Sequence, residues 1–214
     1  MTWLWIGGWG VPPEWLEKQA AAVFPGTAHQ VVPPDPEGDW RRQRDSYDRL
    51  IGYSLGAFLL LQAEQEAPSR RSLALLAPFF AFAAETGLGG RVPLSRLRYL
   101  ERWFRRDPEG ALSDFYRRAG LSELMNEGAS PYPQNILAAG LSALREERLE
   151  PRVPAGAVVL AGEDDTLVDT PRLRELCRQT RCIRGAGHHP TPLMRALACL
   201  WSEGKGDPTE EPSS

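Results

Sequence analysis

The feature that most constrains the fold is an alternation between short apolar runs and segments with helical spacing. Apolar runs rich in valine, isoleucine, leucine or tryptophan start near positions 3, 30, 50, 73, 157 and 181, and helical segments separate most of them. Strands that alternate with helices form parallel sheets, because each crossover helix covers one face of the sheet. The sequence therefore predicts an α/β fold with helices on both faces of a parallel sheet. Residues 39–50 are predicted to form a polar helix within this series.

One long segment, residues 80–152, interrupts the alternation. It lies between two predicted strands and contains three stretches with helical spacing, at 95–106, 109–120 and 135–148. An insertion at this point is expected to lie over the carboxyl ends of the strands, where open α/β sheets bind ligands. We therefore predict a helical lid (residues 80–152), a core made of residues 1–79 and 153–203, and a disordered tail at 204–214.

The composition argues against several classes of protein. A net charge of -3 is unfavourable for binding nucleic acid. The longest apolar run, near residues 73–84, is shorter than the roughly 20 residues of a membrane span, so no membrane association is expected. The first residues do not resemble a secretory signal, which favours the cytoplasm. Cys177, Cys182 and Cys199 lack metal or redox spacing and are expected to be reduced core thiols in a monomer.

A Gly-Tyr-Ser-Leu-Gly motif joins the third predicted strand to the following helix. Glycines at 52 and 56 flank Ser54, and the helix starts at Leu55. A serine in such a strand-to-helix turn can be the nucleophile of a hydrolase, since the strained turn exposes its hydroxyl and the helix N-terminus favours negative charge there. The alternative is a tight turn in which Ser54 only caps the helix.

A reactive serine needs a histidine as base and a carboxylate that orients the histidine. The chain has three histidines. His29 lies in or beside the second strand and is expected to be structural. His188 and His189 lie after the last predicted strand, in a loop before Pro190. The loop after the preceding strand, residues 163–169, is rich in aspartate. The chain order is therefore serine, aspartate, histidine, each at the end of a predicted strand.

This order and its motifs resemble the α/β-hydrolases over residues 3–202. The resemblance implies that Asp165 is the acid, in preference to Asp164, because a Gly-x-x-Asp-x-x-Val pattern spans residues 162–168. It implies likewise that His188 is the base, since it follows a glycine directly and precedes Pro190 by two positions. The expected catalytic residues are therefore Ser54, Asp165 and His188.

The same resemblance implies an oxyanion hole formed by two backbone N–H groups. One belongs to Leu55, the residue after the nucleophile, and the other to Trp9 in the Gly-Gly-Trp-Gly loop after the first strand. Trp9 is also expected to line the acyl pocket. Gly7 stands where the family often has histidine. The chain would lack two strands that are common at the start of the family's sheet, leaving about six. The mechanism calls for no metal or organic cofactor.

Within the superfamily the sequence is most similar to pimeloyl-[acyl-carrier protein] methyl ester esterases. The Gly-Trp-Gly loop, the Gly-Tyr-Ser-Leu-Gly motif and a Gly-Leu-x-x-Leu stretch from Gly140 carry this likeness. It implies a serine carboxylesterase of biotin synthesis whose partner is an acidic acyl-carrier protein. Residues 91–118 contain eight arginines against four acidic residues, and Arg117 and Arg118 are the candidate docking residues. The alternative is that these arginines form a solvated helix face.

Two broader alternatives remain. One is a general small-acyl carboxylesterase or thioesterase of the same fold. The other is a catalytically silent binding protein on that scaffold.

Overall fold

A six-stranded parallel sheet forms the centre of the molecule. The computed structural model describes residues 1–126 and 131–203. The strands are β1 (Thr2–Ile6), β2 (Ala28–Val32), β3 (Arg49–Tyr53), β4 (Ser72–Leu76), β5 (Ala81–Ala83), β6 (Gly89–Val92), β7 (Val158–Gly162) and β8 (Thr180–Ile183). The α-helices are α1 (Pro13–Val23), α2 (Trp40–Gln43), α3 (Leu55–Glu66), α4 (Leu94–Phe104), α5 (Pro108–Ala119), α6 (Gln134–Glu146), α7 (Thr170–Leu176) and α8 (Pro190–Glu203).

The order of strands in the main sheet is β2-β1-β3-β4-β7-β8, and every pairing is parallel. The central strands are buried on both faces, as their nearly continuous apolar sequences require. Because the strands are parallel, the loops after β1, β3, β7 and β8 meet at one edge of the sheet. This edge brings together the segments that carry the predicted site residues.

Helix α3 occupies the most buried position beside the sheet. Every residue from Leu55 to Leu61 is buried. A helix that is apolar on all sides must lie inside the protein rather than on its surface. The helix that follows Ser54 is therefore part of the core, and its first turn is held rigidly.

Residues 80–152, the predicted lid, contain three α-helices at the positions that the spacing predicted, α4, α5 and α6. A small parallel sheet of β5 and β6, which the sequence did not predict, precedes them. Its strands have only three and four residues, too few to show a periodicity. Residues 127–130 of the predicted lid and the predicted tail at 204–214 lie outside the described residues.

Two local expectations were wrong. The polar helix predicted at 39–50 is reduced to α2 and one 3₁₀ turn. Asp48 already hydrogen-bonds to the backbone of Thr2, and the extended β3 begins at the next residue. The three cysteines are unpaired, but only Cys177 is buried, and Cys199 is exposed on the outer face of α8.

None of the helices in the described ranges is both long and apolar enough to cross a membrane.

Candidate active site

Ser54 occupies a strained turn between β3 and α3. Its φ of 54° and ψ of -117° lie in a region that residues with a Cβ rarely adopt. The flanking glycines allow this turn to pack tightly. A Cβ at Gly56 would lie 2.1 Å from the carbonyl oxygen of Ile6, and one at Gly52 would lie 2.5 Å from the Cα of Ala57. Only glycine therefore fits at both positions.

The structure brings Ser54, His188 and Asp165 into one hydrogen-bonded chain. His188 Nδ1 lies 2.8 Å from Asp165 Oδ2, and His188 Nε2 lies 2.9 Å from Ser54 Oγ. Because an ionised carboxylate only accepts hydrogen bonds, Nδ1 carries the proton and Nε2 accepts the serine hydroxyl. The three residues are 1% to 4% exposed. This arrangement can move a proton from serine to histidine.

Asp165 is held in its ionised form. Burial alone would raise the pKa of its carboxyl group, but attraction to His188 and hydrogen bonds from His188 and two backbone N–H groups hold that pKa below its ordinary value. The N–H groups are those of Leu167 and Val168, at 2.8 and 2.9 Å from Oδ1. Both carboxylate oxygens are therefore occupied, and the carboxylate is fixed toward His188.

Tyr53 positions the loop that carries the histidine. Its hydroxyl donates a hydrogen bond to the backbone carbonyl oxygen of His188, at 2.9 Å. Burial, with the nearby Asp165 and Glu123 carboxylates, raises the pKa of Tyr53 well above its ordinary value, so the hydroxyl remains a donor. No local pattern in the sequence indicates this role, because Tyr53 and His188 are 135 residues apart.

The neighbouring residues have other partners. Asp164 is exposed, whereas Asp165 is buried. His189 donates from Nε2 to Glu123 Oε1 at 2.7 Å, while its Nδ1 accepts the N–H of Thr191. His189 thus links the lid to the start of α8 and does not contact the hydrogen-bonded chain of Ser54.

The third histidine, His29, lies far from Ser54. Its Nδ1 accepts the indole N–H of Trp5, and its Nε2 donates to the carbonyl oxygen of Phe24. Both ring nitrogens are therefore used inside the fold, in agreement with a structural role.

The loop after β1 runs beside the serine. A Cβ at Gly8 would lie 3.4 Å from Ser54 Cβ, so the backbone of this loop approaches the nucleophile closely. Among the described residues, the backbone N–H groups of Trp9 and Leu55 find no hydrogen-bond acceptor. They are thus free to bind an oxygen atom of a ligand. The Trp9 side chain is 1% exposed, and its indole N–H donates to the carbonyl oxygen of Leu137 in the lid.

Two tyrosines of the lid hold the same loop from above. Tyr132 Oη accepts a hydrogen bond from the backbone N–H of Gly10, at 2.5 Å. The same hydroxyl donates to the carbonyl oxygen of Gly8, at 3.2 Å. Tyr116 donates to the carbonyl oxygen of Gly10 at 2.5 Å. Neither tyrosine was predicted as a site residue, because these contacts span more than 100 residues of chain.

The lid also holds the loop that carries the acid. Arg91 of β6 donates to the backbone carbonyl oxygen of Asp165 at 3.1 Å, and Thr166 donates to the carbonyl oxygen of Arg118 at 2.8 Å. Arg117 and Arg118, the predicted docking residues, lie at the end of α5. Both form ion pairs with Asp114, at 3.5 and 2.7 Å.

Within residues 1–126 and 131–203, no group of three or more histidine, cysteine or acidic side chains is arranged to hold a metal ion.

Neither the family models nor the curated proteins that were compared with the sequence match it. Solved structures do resemble the fold. An esterase from Exiguobacterium antarcticum aligns with a TM-score of 0.72 at 14% identity, over 95% of this chain and 91% of its own. A hydrolase from Oleispira antarctica aligns with a TM-score of 0.67 at 14% identity, over 95% of this chain and 90% of the hydrolase.

The chain has the α/β-hydrolase fold. The predicted fold class is thereby confirmed, including the six-stranded parallel sheet. An N-formylmaleamic acid deformylase from Pseudomonas putida aligns at a TM-score of 0.65 and 14% identity, over 94% of this chain and 91% of its own. At these identities the likeness concerns the fold, and the chemistry must be argued from the site.

Proposed function

We propose that the protein is a serine hydrolase that cleaves carboxylic esters with Ser54, His188 and Asp165. The observation that carries this proposal is the hydrogen-bonded chain from Asp165 through His188 to Ser54 Oγ, in a buried strand-to-helix turn. A serine that only capped α3 would accept a helix N–H, yet the Ser54 side chain makes no such bond. The strain at Ser54 is also unnecessary for a cap.

The reaction follows from this geometry. His188 takes the proton of Ser54 while Oγ attacks the ester carbonyl carbon. The oxyanion that forms accepts hydrogen bonds from the backbone N–H groups of Trp9 and Leu55. The carbon–oxygen bond to the alcohol then breaks, and His188 returns the proton to the leaving oxygen. A water molecule, deprotonated by His188, then attacks the acyl-serine. The acid leaves as His188 returns that proton to Ser54 Oγ, which restores the free serine.

Hydrolysis of a short p-nitrophenyl ester tests the proposal. Ser54→Ala and His188→Ala should each lower kcat by roughly 10³-fold or more, because either change removes the proton transfer that activates the nucleophile. His189→Ala is the matched control and should keep most of the activity, since His189 contacts Glu123 instead.

Labelling by a fluorophosphonate probe distinguishes the hydrolase from a silent binding protein. The parent protein should be labelled and Ser54→Ala should not. A parent protein that resists the probe, or a Ser54→Ala protein with activity within tenfold of the parent, contradicts the proposal.

The finer proposal is that the ester is the methyl ester of a pimeloyl chain on an acyl-carrier protein, in biotin synthesis. Its support is the motif likeness together with the charge of the lid. Arg98, Arg102 and Arg106 are exposed and make no ion pair with any described residue. A strongly acidic carrier would be attracted to such a surface. Complementation tests pathway and substrate together. A biotin-auxotrophic strain that lacks its own pimeloyl-carrier esterase should grow without biotin when it expresses this protein.

Arg117 and Arg118 are the proposed docking residues, and charge reversal tests them. Changing both to glutamate should raise KM for the carrier-bound ester at low salt and leave kcat/KM for p-nitrophenyl acetate nearly unchanged. The effect should shrink with salt, because the screening length falls from about 10 Å at 0.1 M to about 3 Å at 1 M. The matched control reverses Arg70 and Arg71, which precede β4 at the opposite end of the sheet.

Other results have distinct meanings. Equal losses on both substrates would show that the ion pairs with Asp114 support lid folding. If the double variant loses no activity on either substrate, the arginines form a solvated helix face. A general carboxylesterase or thioesterase is then the better proposal.

A further inference from the structure

A cleft of about 670 Å³ lies in the lid, and neither Ser54 nor His188 lines it. Helices α4 and α5 form its two long walls. Val92 at the end of β6 and the loop residues Thr166 and Leu167 close one side. Its volume is in the range of small-molecule sites, which is roughly 300 to 1,000 Å³.

The floor of the cleft is apolar. Its buried side chains come from both walls, from β5 and β6 and from the loop after β7: Phe82, Val92, Leu97, Phe115 and Leu167. At the mouth, Tyr99 is 56% exposed, and its ring lies 5.8 Å from that of Trp103. Exposed apolar surface with a polar rim is typical of grooves that bind an apolar ligand or partner.

The rim of the cleft is positively charged. It carries four arginines, namely Arg91, Arg96, Arg117 and Arg118, and one acidic residue, Asp114. Asp114 is already shared by Arg117 and Arg118. The Arg96 guanidinium, in contrast, is exposed and has no ion-pair partner among the described residues. An anionic group would therefore meet a cation that no carboxylate of the described chain neutralises.

A wall of side chains separates this cleft from the serine. The Phe115 ring lines the cleft and packs at 4.9 Å against the ring of Trp9, which belongs to the loop beside Ser54. Leu167 also lines the cleft, while its backbone N–H faces Asp165. The cleft and the serine site are thus neighbours with a common wall.

The geometry points to a second ligand site in this cleft, for a carboxylate on a medium-length apolar chain, as in a fatty acid. The chain would lie on the apolar floor, and the carboxylate would pair with Arg96 at the rim. A single negative charge fits this rim better than a doubly charged phosphate, because Asp114 and the nearby Asp169 offset part of the arginine charge.

Calorimetric titration with decanoate, below its micellar concentration, tests the site directly and requires no hydrolysis. Decanoate should bind once per chain and at least roughly tenfold more tightly than decanol, which has the same chain without the charge. Ser54→Ala should bind decanoate as the parent does, so the result is independent of the proposed function.

A pair of variants on α4 locates the carboxylate. Arg96→Glu should weaken decanoate binding by roughly fivefold or more, since it replaces attraction with repulsion. Arg102→Glu makes the same change of charge at an exposed position of α4 that does not line the cleft, and should stay within about twofold of the parent.

Several outcomes would overturn the inference. The first is absence of binding with decanoate at about 1 mM. The others are equal affinity for decanoate and decanol, and equal losses of decanoate binding in Arg96→Glu and Arg102→Glu. Decyl phosphate that bound far more tightly than decanoate would show that the ligand class is wrong. Loss of binding in Ser54→Ala would place the ligand at the serine instead.

Discussion

The site contains two pairs of identical neighbours, two aspartates and two histidines, and the members of each pair have different environments. Asp165 is buried and bonded to His188, whereas Asp164 is exposed. His188 faces Ser54, whereas His189 faces Glu123 on the lid. In each pair one residue can take part in proton transfer at Ser54 and the other cannot. The pairs therefore offer matched variants that differ in environment and not in chemistry.

Replacement of Asp165 by asparagine should affect both activity and acid stability. The amide cannot hold the proton on His188 Nδ1, so kcat should fall by roughly 10³-fold or more. Because the folded-state pKa of Asp165 is lowered, its ionised form stabilises the fold above about pH 4, the ordinary pKa, and this contribution is lost as pH falls through the folded-state value. The stability difference between parent and Asp165→Asn should therefore be constant above about pH 4 and shrink as the pH falls below that value.

Urea denaturation at several pH values, together with ester hydrolysis, measures both effects. Asp164→Asn is the matched control and should keep most of the activity. A larger effect at Asp164 than at Asp165 would show that the acid was assigned to the wrong residue.

At the scale of secondary structure, the turn from β3 to α3 depends on contact between backbones. The first turn of α3 packs against the carbonyl oxygens of Ile6 and Gly7 at the end of β1, and Gly56 makes this approach possible. The loop after β1 and Ser54 are thus positioned by the same contact. A change there should alter stability and geometry together.

Gly56→Ala should destabilise the protein by roughly 3 kcal/mol, because its Cβ would lie 2.1 Å from one carbonyl oxygen and 2.4 Å from another. Gly7→Ala is the control, since its Cβ would find no atom nearer than 3.5 Å, and should cost less than about 1 kcal/mol. Chemical denaturation followed by circular dichroism compares the two. Similar stabilities would mean that the helix shifts to accommodate the methyl group.

In the whole molecule, the predicted lid (residues 80–152) supplies hydrogen bonds to two loops of the candidate site. Tyr116 and Tyr132 bond to the loop that carries Trp9, while Arg91 and the carbonyl oxygen of Arg118 bond to the loop that carries Asp165. Both loops at the carboxyl edge of the sheet are therefore fixed partly by lid residues. Loosening the lid should lower turnover even where Ser54 is untouched.

Tyr132→Phe should lower kcat for a p-nitrophenyl ester by roughly tenfold, with little change in KM, because the Trp9 N–H is used mainly in the transition state. It should also cost about 1–3 kcal/mol of stability, since the buried N–H of Gly10 loses its acceptor. Tyr47→Phe is the control, because that hydroxyl bonds to Gln30 away from the site. It should reduce stability and leave kcat unchanged. Equal kcat values for both variants would refute a role of the lid in positioning this loop.

Local sequence determined the α/β architecture, the strand-to-helix turn at Ser54 and the three lid helices. These features depend on short-range patterns: apolar runs for strands, 3.6-residue spacing for helices, and paired glycines at a tight turn. The preference for Asp165 and His188 over their neighbours came from local motifs, and the structure places both side chains beside each other.

Only the tertiary structure decided the partners that lie far apart in the chain. The bonds of Tyr53 to His188, of Tyr132 to Gly10 and of Arg91 to Asp165 span 74 to 135 residues, and no local pattern encodes them. The short strands β5 and β6 and the truncated α2 were likewise set by neighbours in space. Periodicity reports which face of a segment is apolar, whereas side-chain partners depend on which segments the fold brings together.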